Sequence, residues 1–123
     1  MDIATQTHLT TLRNLLAYRL TELRAQVHAD ELALRGNTDA LRGDVADRKD
    51  QAALGQQGEV LQAEAQRDAD EMARVERALQ RLDAGSYGDC AHCGEPIPLQ
   101  RLLVQPDAEC CAACQGVLER RAL

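Results

Sequence analysis

The chain has 123 residues, a formal net charge of -6 and five cysteines, with no phenylalanine, no tryptophan and only two tyrosines. A length of this order holds at most one modest domain, and an apolar content rich in alanine and leucine does not build a thick globular core. It suits long helices that bury a narrow stripe against each other. Acidic and basic residues are interspersed, which argues against the basic face that phosphate neutralisation on nucleic acid requires. No apolar run approaches membrane-spanning length, and Met1-Asp2-Ile3-Ala4 lacks the basic-then-hydrophobic pattern of a signal peptide. Together with grouped cysteines, this places the chain in a reducing cytoplasm.

From about Thr5 the pattern is helical. Leu9, Leu12, Leu16, Leu20, Leu23 and Val27 recur at steps of three and four, one face of a helix. Leu15 and Tyr18 fall beside that stripe and are expected to widen it. Thr5 and Thr7 are candidate N-caps. His8 and His28 read as solvated or partly packed side chains, not catalytic ones. Between Asp30 and Gly58 the pattern loosens: Leu32, Leu34, Leu41, Val45 and Leu54 stay available, but Gly36, Gly43, Gly55 and Gly58 interrupt them at roughly 1 kcal/mol each. Gly36-Asn37-Thr38 is expected to be a local break.

From Glu59 the stripe returns as Leu61, Ala65, Asp68, Met72, Val75, Leu79 and Leu82, a heptad-like seam with one acidic member. Glu71, Arg74, Glu76, Arg77, Gln80, Arg81 and Asp83 lie outside it, and Gly85 reads as the stop. The two stripes match as an antiparallel hairpin. Leu12 with Leu82, Leu16 with Leu79, Leu20 with Val75, Leu23 with Met72, Leu34 with Leu61 and Leu41 with Leu54 share a midpoint near residues 47 and 48. Val27 would then face Asp68, an acid within reach of an arginine on the first helix. Helices of ~35 residues would each run ~50 Å at 1.5 Å per residue. A parallel coiled-coil homodimer is the alternative. The expected fold is therefore all-α: a hairpin over 5–84 with its tip near 44–52, then a small base with a C-terminal helix over 85–123. At the tip, Asp47 and Asp50 adjoin the turn, where one carboxylate caps the second helix and the other can reach a basic group or a metal in a partner.

After Gly85-Ser86-Tyr87-Gly88 come two Cys-x-x-Cys pairs, Cys90/Cys93 and Cys111/Cys114, with seventeen residues between them. Two tight pairs closing one loop suit a tetrahedral ion, which points to a four-cysteine zinc knuckle. A redox dithiol is the weaker reading, since such a pair normally comes singly in a βαβ setting. Cys110 competes with Cys111 for the third ligand place, and Cys111 is preferred because only it keeps the two-residue spacing to Cys114. Cys110 is then a small buried hydrophobe, and His92 is a remote substitute ligand. Leu99 to Leu103 is a short apolar helix or strand against the metal site, and Val117 and Leu118 are candidates to pack inward from the tail. A complete ligand set leaves no open coordination place, and Asp47 and Asp50 have no histidine or nucleophile beside them, so no enzyme is expected.

Tyr87-Gly88-x-Cys90-x-x-Cys93-Gly94, then Ile97, Arg101-Leu102, Pro106-x-Ala108 and Cys111-x-x-Cys114 resemble the zinc-finger signature of the DksA/TraR family of bacterial transcription factors. Asp47-Arg48-Lys49-Asp50-Gln51-Ala52 resembles that family's Asp-x-x-Asp-x-Ala motif at the coiled-coil tip. The resemblance implies one structural Zn²⁺ and a monomer that binds bacterial RNA polymerase, not DNA. It implies a hairpin inserted through the secondary channel, with Asp47, Asp50 and Ala52 acting at initiation on sensitive promoters such as those for ribosomal RNA. Arg67 matches a family arginine near polymerase. Of the positions that hold the alarmone ppGpp, Arg74 keeps its charge, while Gln105 and Gln115 stand at the other two. Glutamine offers a pyrophosphate no cation, so synergy with ppGpp is expected to be weak or absent. The N-terminal segment is also shorter than in full-length members. Two other readings stay open: a secondary-channel factor for transcript cleavage, with tip acids on a catalytic Mg²⁺, and a zinc-stapled coiled-coil adaptor or DNA-binding finger.

Overall fold

A computed structural model of the chain describes residues 3–43 and 48–122. Among the described residues the helices are α1 (Ile3–Thr7), α2 (Leu9–Leu41), α3 (Arg48–Ala84), α4 (Leu99–Val104) and α5 (Ala112–Ala122). An isolated antiparallel bridge joins Asp89 to Pro96. The fold is all-α, and α2 pairs with α3 within one chain in antiparallel sense. Arg13 meets Asp83 at 3.1 Å, and Asn37 reaches the Leu54 carbonyl at 3.0 Å. None of the helices is long and apolar enough to cross a membrane, among the described residues. The contacts divide the chain into two compact units, one of Met1–Leu20 with Ala73–Leu123 and one of Thr21–Met72.

The first unit holds most of the apolar core. Leu12, Leu16 and Leu20 of α2 are buried, as are Val75 and Ala78 of α3, followed by Tyr87, Ile97, Leu102 and Ala108. Each large apolar side chain here contributes ~1.5–3 kcal/mol on removal from water. Ala78 was not among the expected seam residues, and it is fully buried where Leu79 and Leu82 are only half-buried. Leu15 and Tyr18 do not widen the stripe; they are 43% and 70% exposed. One partner helix covers one seam of three- and four-residue steps, and positions beside it face water.

The N-terminal caps also differ from expectation. Thr5 is buried inside α1, and its hydroxyl has no hydrogen-bond partner among the described residues. Thr7 donates back to the Ile3 carbonyl at 3.1 Å, an i to i-4 bond that cannot cap the helix ahead.

The stop of α3 behaves as its glycine suggests. Gly85 has φ +78°, which lets Ser86 N–H reach the Arg81 carbonyl at 2.9 Å while Gly85 N–H reaches Leu82 at 3.3 Å. These are the two bonds of a Schellman cap. The chain leaves the helix there and runs directly into Tyr87, the largest fully buried side chain. Its hydroxyl donates to the Pro106 carbonyl at 2.9 Å. Burial, with Asp107 nearby and Arg81 opposing, pushes its pKa up to about 12.

In the second unit α2 runs unbroken through Gly36-Asn37-Thr38 to Leu41, so the expected break is absent. One glycine costs ~1 kcal/mol, less than packing along a partner helix returns, and Asn37 is buried. Leu23 is buried, while Val27, Leu34, Leu54, Leu61, Ala65, Asp68 and Met72 are half-buried. Asp30 is a second buried polar member of the α2 seam; Gln26 Nε2 donates to its Oδ1 at 3.0 Å. Leu32 faces solvent. Val45 and the first half of the expected tip lie outside the described residues.

Removing the hydroxyl of Tyr87 tests the first unit. Tyr87→Phe should destabilise the fold by ~1 kcal/mol, because the Pro106 carbonyl loses its donor. A denaturant titration with an unchanged m-value would register that loss.

Candidate metal centre

The first cysteine pair sits in a turn held by its own backbone. Cys90 N–H donates to the Glu95 carbonyl at 2.8 Å, Gly94 N–H to Cys90 at 2.9 Å, and Ile97 N–H to Gly88 at 2.7 Å. The second pair straddles the start of α5, with Cys111 just before Ala112 and Cys114 in the first turn. Ala91 N–H to the Glu109 carbonyl, at 2.8 Å, ties the two segments together.

The sulfurs of Cys90, Cys93, Cys111 and Cys114 all lie within 4.8 Å of one another, with Cys93 and Cys111 at 3.9 Å. Four sulfurs about 2.3 Å from a tetrahedral ion stand ~3.8 Å apart, so this set fits such an ion with little adjustment. Burial opposes ionisation of Cys90, but amides of Cys93, Cys111 and His92 aimed at its sulfur outweigh it, and its pKa falls to about 5. Cys114 is pushed up, first by hydrogen bonding to Cys111 and then by burial. Cys93 is also raised: the Glu95 amide favours its thiolate, but hydrogen bonding to Cys90 and burial prevail. A cation at the centre would ionise the four together, since metal-bound cysteines are thiolates.

Cys110 stays outside the cluster. It is buried, burial and the neighbouring Cys90 push its thiol up, and Arg101 Nε holds its carbonyl at 3.1 Å. His92 is exposed and likewise lies outside the four. Leu102 of α4 is buried, whereas Leu103 and Val104 face solvent. Val117 is half-buried and Leu118 is 39% exposed.

The device that holds the second pair was not apparent from sequence. Arg74, Arg77 and Arg81 recur at three- and four-residue steps, so they share one face of α3. Arg74 Nε meets Asp107 Oδ2 at 3.1 Å. Arg77 and Arg81 both reach Glu109 Oε1, and Arg81 Nη2 also donates to the Ala108 carbonyl at 3.4 Å. Burial raises the Glu109 pKa, but Arg77 and Arg81 outweigh it and hold the carboxyl below its ordinary value. These arginines look like a solvated outer face when read along α3 alone; the available signal was the spacing of 74, 77 and 81 against the acids just before Cys111.

The other candidate residues fall elsewhere. Asp50 lies in the first turn of α3, with Ala52 exposed on the next; Asp47 lies outside the described residues. Arg67 is exposed on α3. Gln105 is the exposed C-cap of α4, and Gln115 Nε2 donates to Glu119 at 3.1 Å. Asp50, Ala52 and Arg67 belong to the second unit; Arg74, Gln105, Gln115 and the cysteines belong to the first.

Residues 85–120 match the model of the prokaryotic dksA/traR C4-type zinc finger. The solved structure of transcription factor DksA2 from Pseudomonas aeruginosa superposes with a TM-score of 0.75 at 30% identity, covering 98% of this chain and 88% of that one. The chain belongs to the DksA/TraR family of zinc-finger transcription factors. Among curated DksA/TraR relatives, the RNA polymerase-binding transcription factor DksA of Caulobacter vibrioides is 42% identical over 50 residues, or 41% of this chain and 35% of that protein. Its namesake in Haemophilus influenzae is 38% identical over 50 residues, 41% of this chain and 34% of that protein. The aligned stretch thus spans about a third of the length of those relatives. The DksA/TraR finger motif and the four-sulfur cluster therefore coincide in one segment.

Glu109→Ala should weaken metal binding by roughly tenfold, as loss of an outer-shell positioning group does. Titration with Co²⁺, followed by its thiolate absorption, measures that change.

Proposed function

We propose that this chain binds bacterial RNA polymerase and regulates initiation by presenting the acidic end of its helical hairpin through the secondary channel. The single observation that carries the reading is likeness to a DksA-type transcription factor along 98% of the chain. It combines an antiparallel helix pair and a four-cysteine finger in one molecule. Two curated relatives are named as polymerase-binding transcription factors.

In this reading Asp47, Asp50 and Ala52 act in the polymerase and Arg67 contacts it. The place of Asp50 suits the role, because unpaired amides and the helix dipole favour a carboxylate in a first turn. The metal is a structural Zn²⁺. Four thiolates fill its coordination shell, so it binds no substrate water, and the protein is a regulator without catalytic activity. It works as a monomer in the cytoplasm, with no DNA sequence recognition of its own.

The response to ppGpp is weak. Arg74, the charged member of the three positions, already pairs with Asp107, and Gln105 and Gln115 bring no charge to the others. A polyanion would have to compete with Asp107 for the one guanidinium.

In vitro transcription from a ribosomal RNA promoter tests the proposal. The wild-type protein should inhibit to the same extent with and without ppGpp, and Asp50→Asn should lose most of that inhibition while still binding polymerase. Equal inhibition by both proteins would remove the tip from the mechanism. Loss of transcript-cleavage stimulation in the variant would favour the cleavage-factor reading.

A further inference from the structure

One buried amide in the helix pair faces a residue with no side chain. Asn37 of α2 is 8% exposed, and its Nδ2 donates to the Leu54 carbonyl of α3 at 3.0 Å. Its amide oxygen lies against Gly58: a Cβ at that position would stand 2.6 Å from Asn37 Oδ1. Position 58 can thus carry a side chain only if Asn37 moves. Asn37 and Gly58 also share the midpoint that relates Leu34 to Leu61 and Leu41 to Leu54, so they are direct opposites in the hairpin.

The surrounding seam is poorly equipped to set its own register. Ala65 and Ala69 of α3 line a cavity of about 200 Å³ with Val27 and Asp30 of α2. Gly55 and Gly58 line another with Leu34 and Asn37. Leucine pairs keep their character after a slip of one turn, and small residues offer few contacts to lose. An amide matched to one carbonyl is different. A slip of four residues, about one turn, would draw the amide away from the Leu54 carbonyl and bring the side chain of Leu54 or Gln62 to the place Gly58 keeps open. Asparagine and glycine both disfavour a helix relative to alanine, so the pair is not there for helix strength. A single polar residue at a buried coiled-coil position is a known way to specify register at the expense of stability.

We propose that Asn37 and Gly58 form a register clasp, and that Asn37 is a positioning residue for Asp50 and Ala52, which lie on the same continuous helix as Leu54. Sliding α3 against α2 would shift Asp50 and Ala52 along α2, and the clasp prevents it. The transcriptional consequence rests on the proposed function; the clasp itself does not.

The test uses the 123-residue, zinc-loaded protein and the pair Asn37→Ala with Gly58→Ala. The double substitution removes the clash and the hydrogen bond together and improves helix propensity at both sites, so its melting temperature should equal or exceed that of wild type. Spin labels at the exposed positions Asp39 and Gln56, attached through a ketone-bearing residue to spare the cysteines, report the register by electron–electron distance. Wild type should give one distance, and the double variant a second population shifted by a helical turn. At saturating protein the double variant should also lose about fivefold of the transcriptional effect with its affinity for polymerase retained. One distance at the wild-type position in the double variant would overturn the clasp. A wild-type protein inert in transcription would defeat the proposed function, and the distances would still decide the clasp.

Discussion

Three arginines on one face of α3 hold the segment that delivers half of the metal ligands. Arg74 takes Asp107, while Arg77 and Arg81 share Glu109, and Cys111 follows two residues later. An exposed ion pair is worth little. Here several charges form a network, the Arg81 and Glu109 side chains are largely shielded, and the same guanidinium secures the Ala108 carbonyl. The network joins a regular helix to an irregular loop, which has little secondary structure of its own to orient its cysteines.

The rest of the base is arranged around that attachment. The Schellman cap at Gly85 turns the chain so that Tyr87 enters the core, and its hydroxyl secures Pro106, directly before Asp107. The loop is thus held from α3 by charge and from Tyr87 by a buried hydrogen bond. Glu109 extends the attachment to the first cysteine pair through its carbonyl and Ala91 N–H. With both pairs positioned by backbone and arginines, four sulfurs converge to the spacing of a tetrahedral ion. That convergence leaves Cys110 outside the cluster. Its side chain is buried in the core, and its carbonyl is engaged by Arg101.

The helix pair works by a different economy. Near Leu12 and Leu16 buried leucines carry the seam; from Val27 onward the half-buried Leu34, Leu54 and Leu61 alternate with small and polar residues, with Asp30 and Asn37 buried. In the first region hydrophobic burial supplies stability and in the second a specific hydrogen bond supplies alignment. Reading Gly36-Asn37-Thr38 as a break weighed only local propensity. The helix continues because α3 provides a carbonyl for the amide and a gap for its oxygen.

Much of this was legible in the residues. Periods of three and four placed Leu12, Leu16, Leu20, Leu23 and Val75 on the seam, paired spacing selected Cys111 over Cys110, and Gly85 marked the stop, because each depends on local geometry alone. Other features depended on what lies across from a residue. Leu15 and Tyr18 look as apolar as the seam but are exposed, Ala78 is buried by its position, and neither threonine caps: the Thr5 hydroxyl is buried without a partner among the described residues, and that of Thr7 turns back to the Ile3 carbonyl. Arg77 and Arg81 become structural only when the loop at Asp107 to Glu109 lies against them. Sequence alone determined periodicity, turns and ligand spacing, which are properties of the chain near itself. The tertiary structure decided which polar groups meet, because hydrogen bonds and ion pairs form between residues far apart in the chain, and a periodic row such as Arg74, Arg77 and Arg81 does not name its partners.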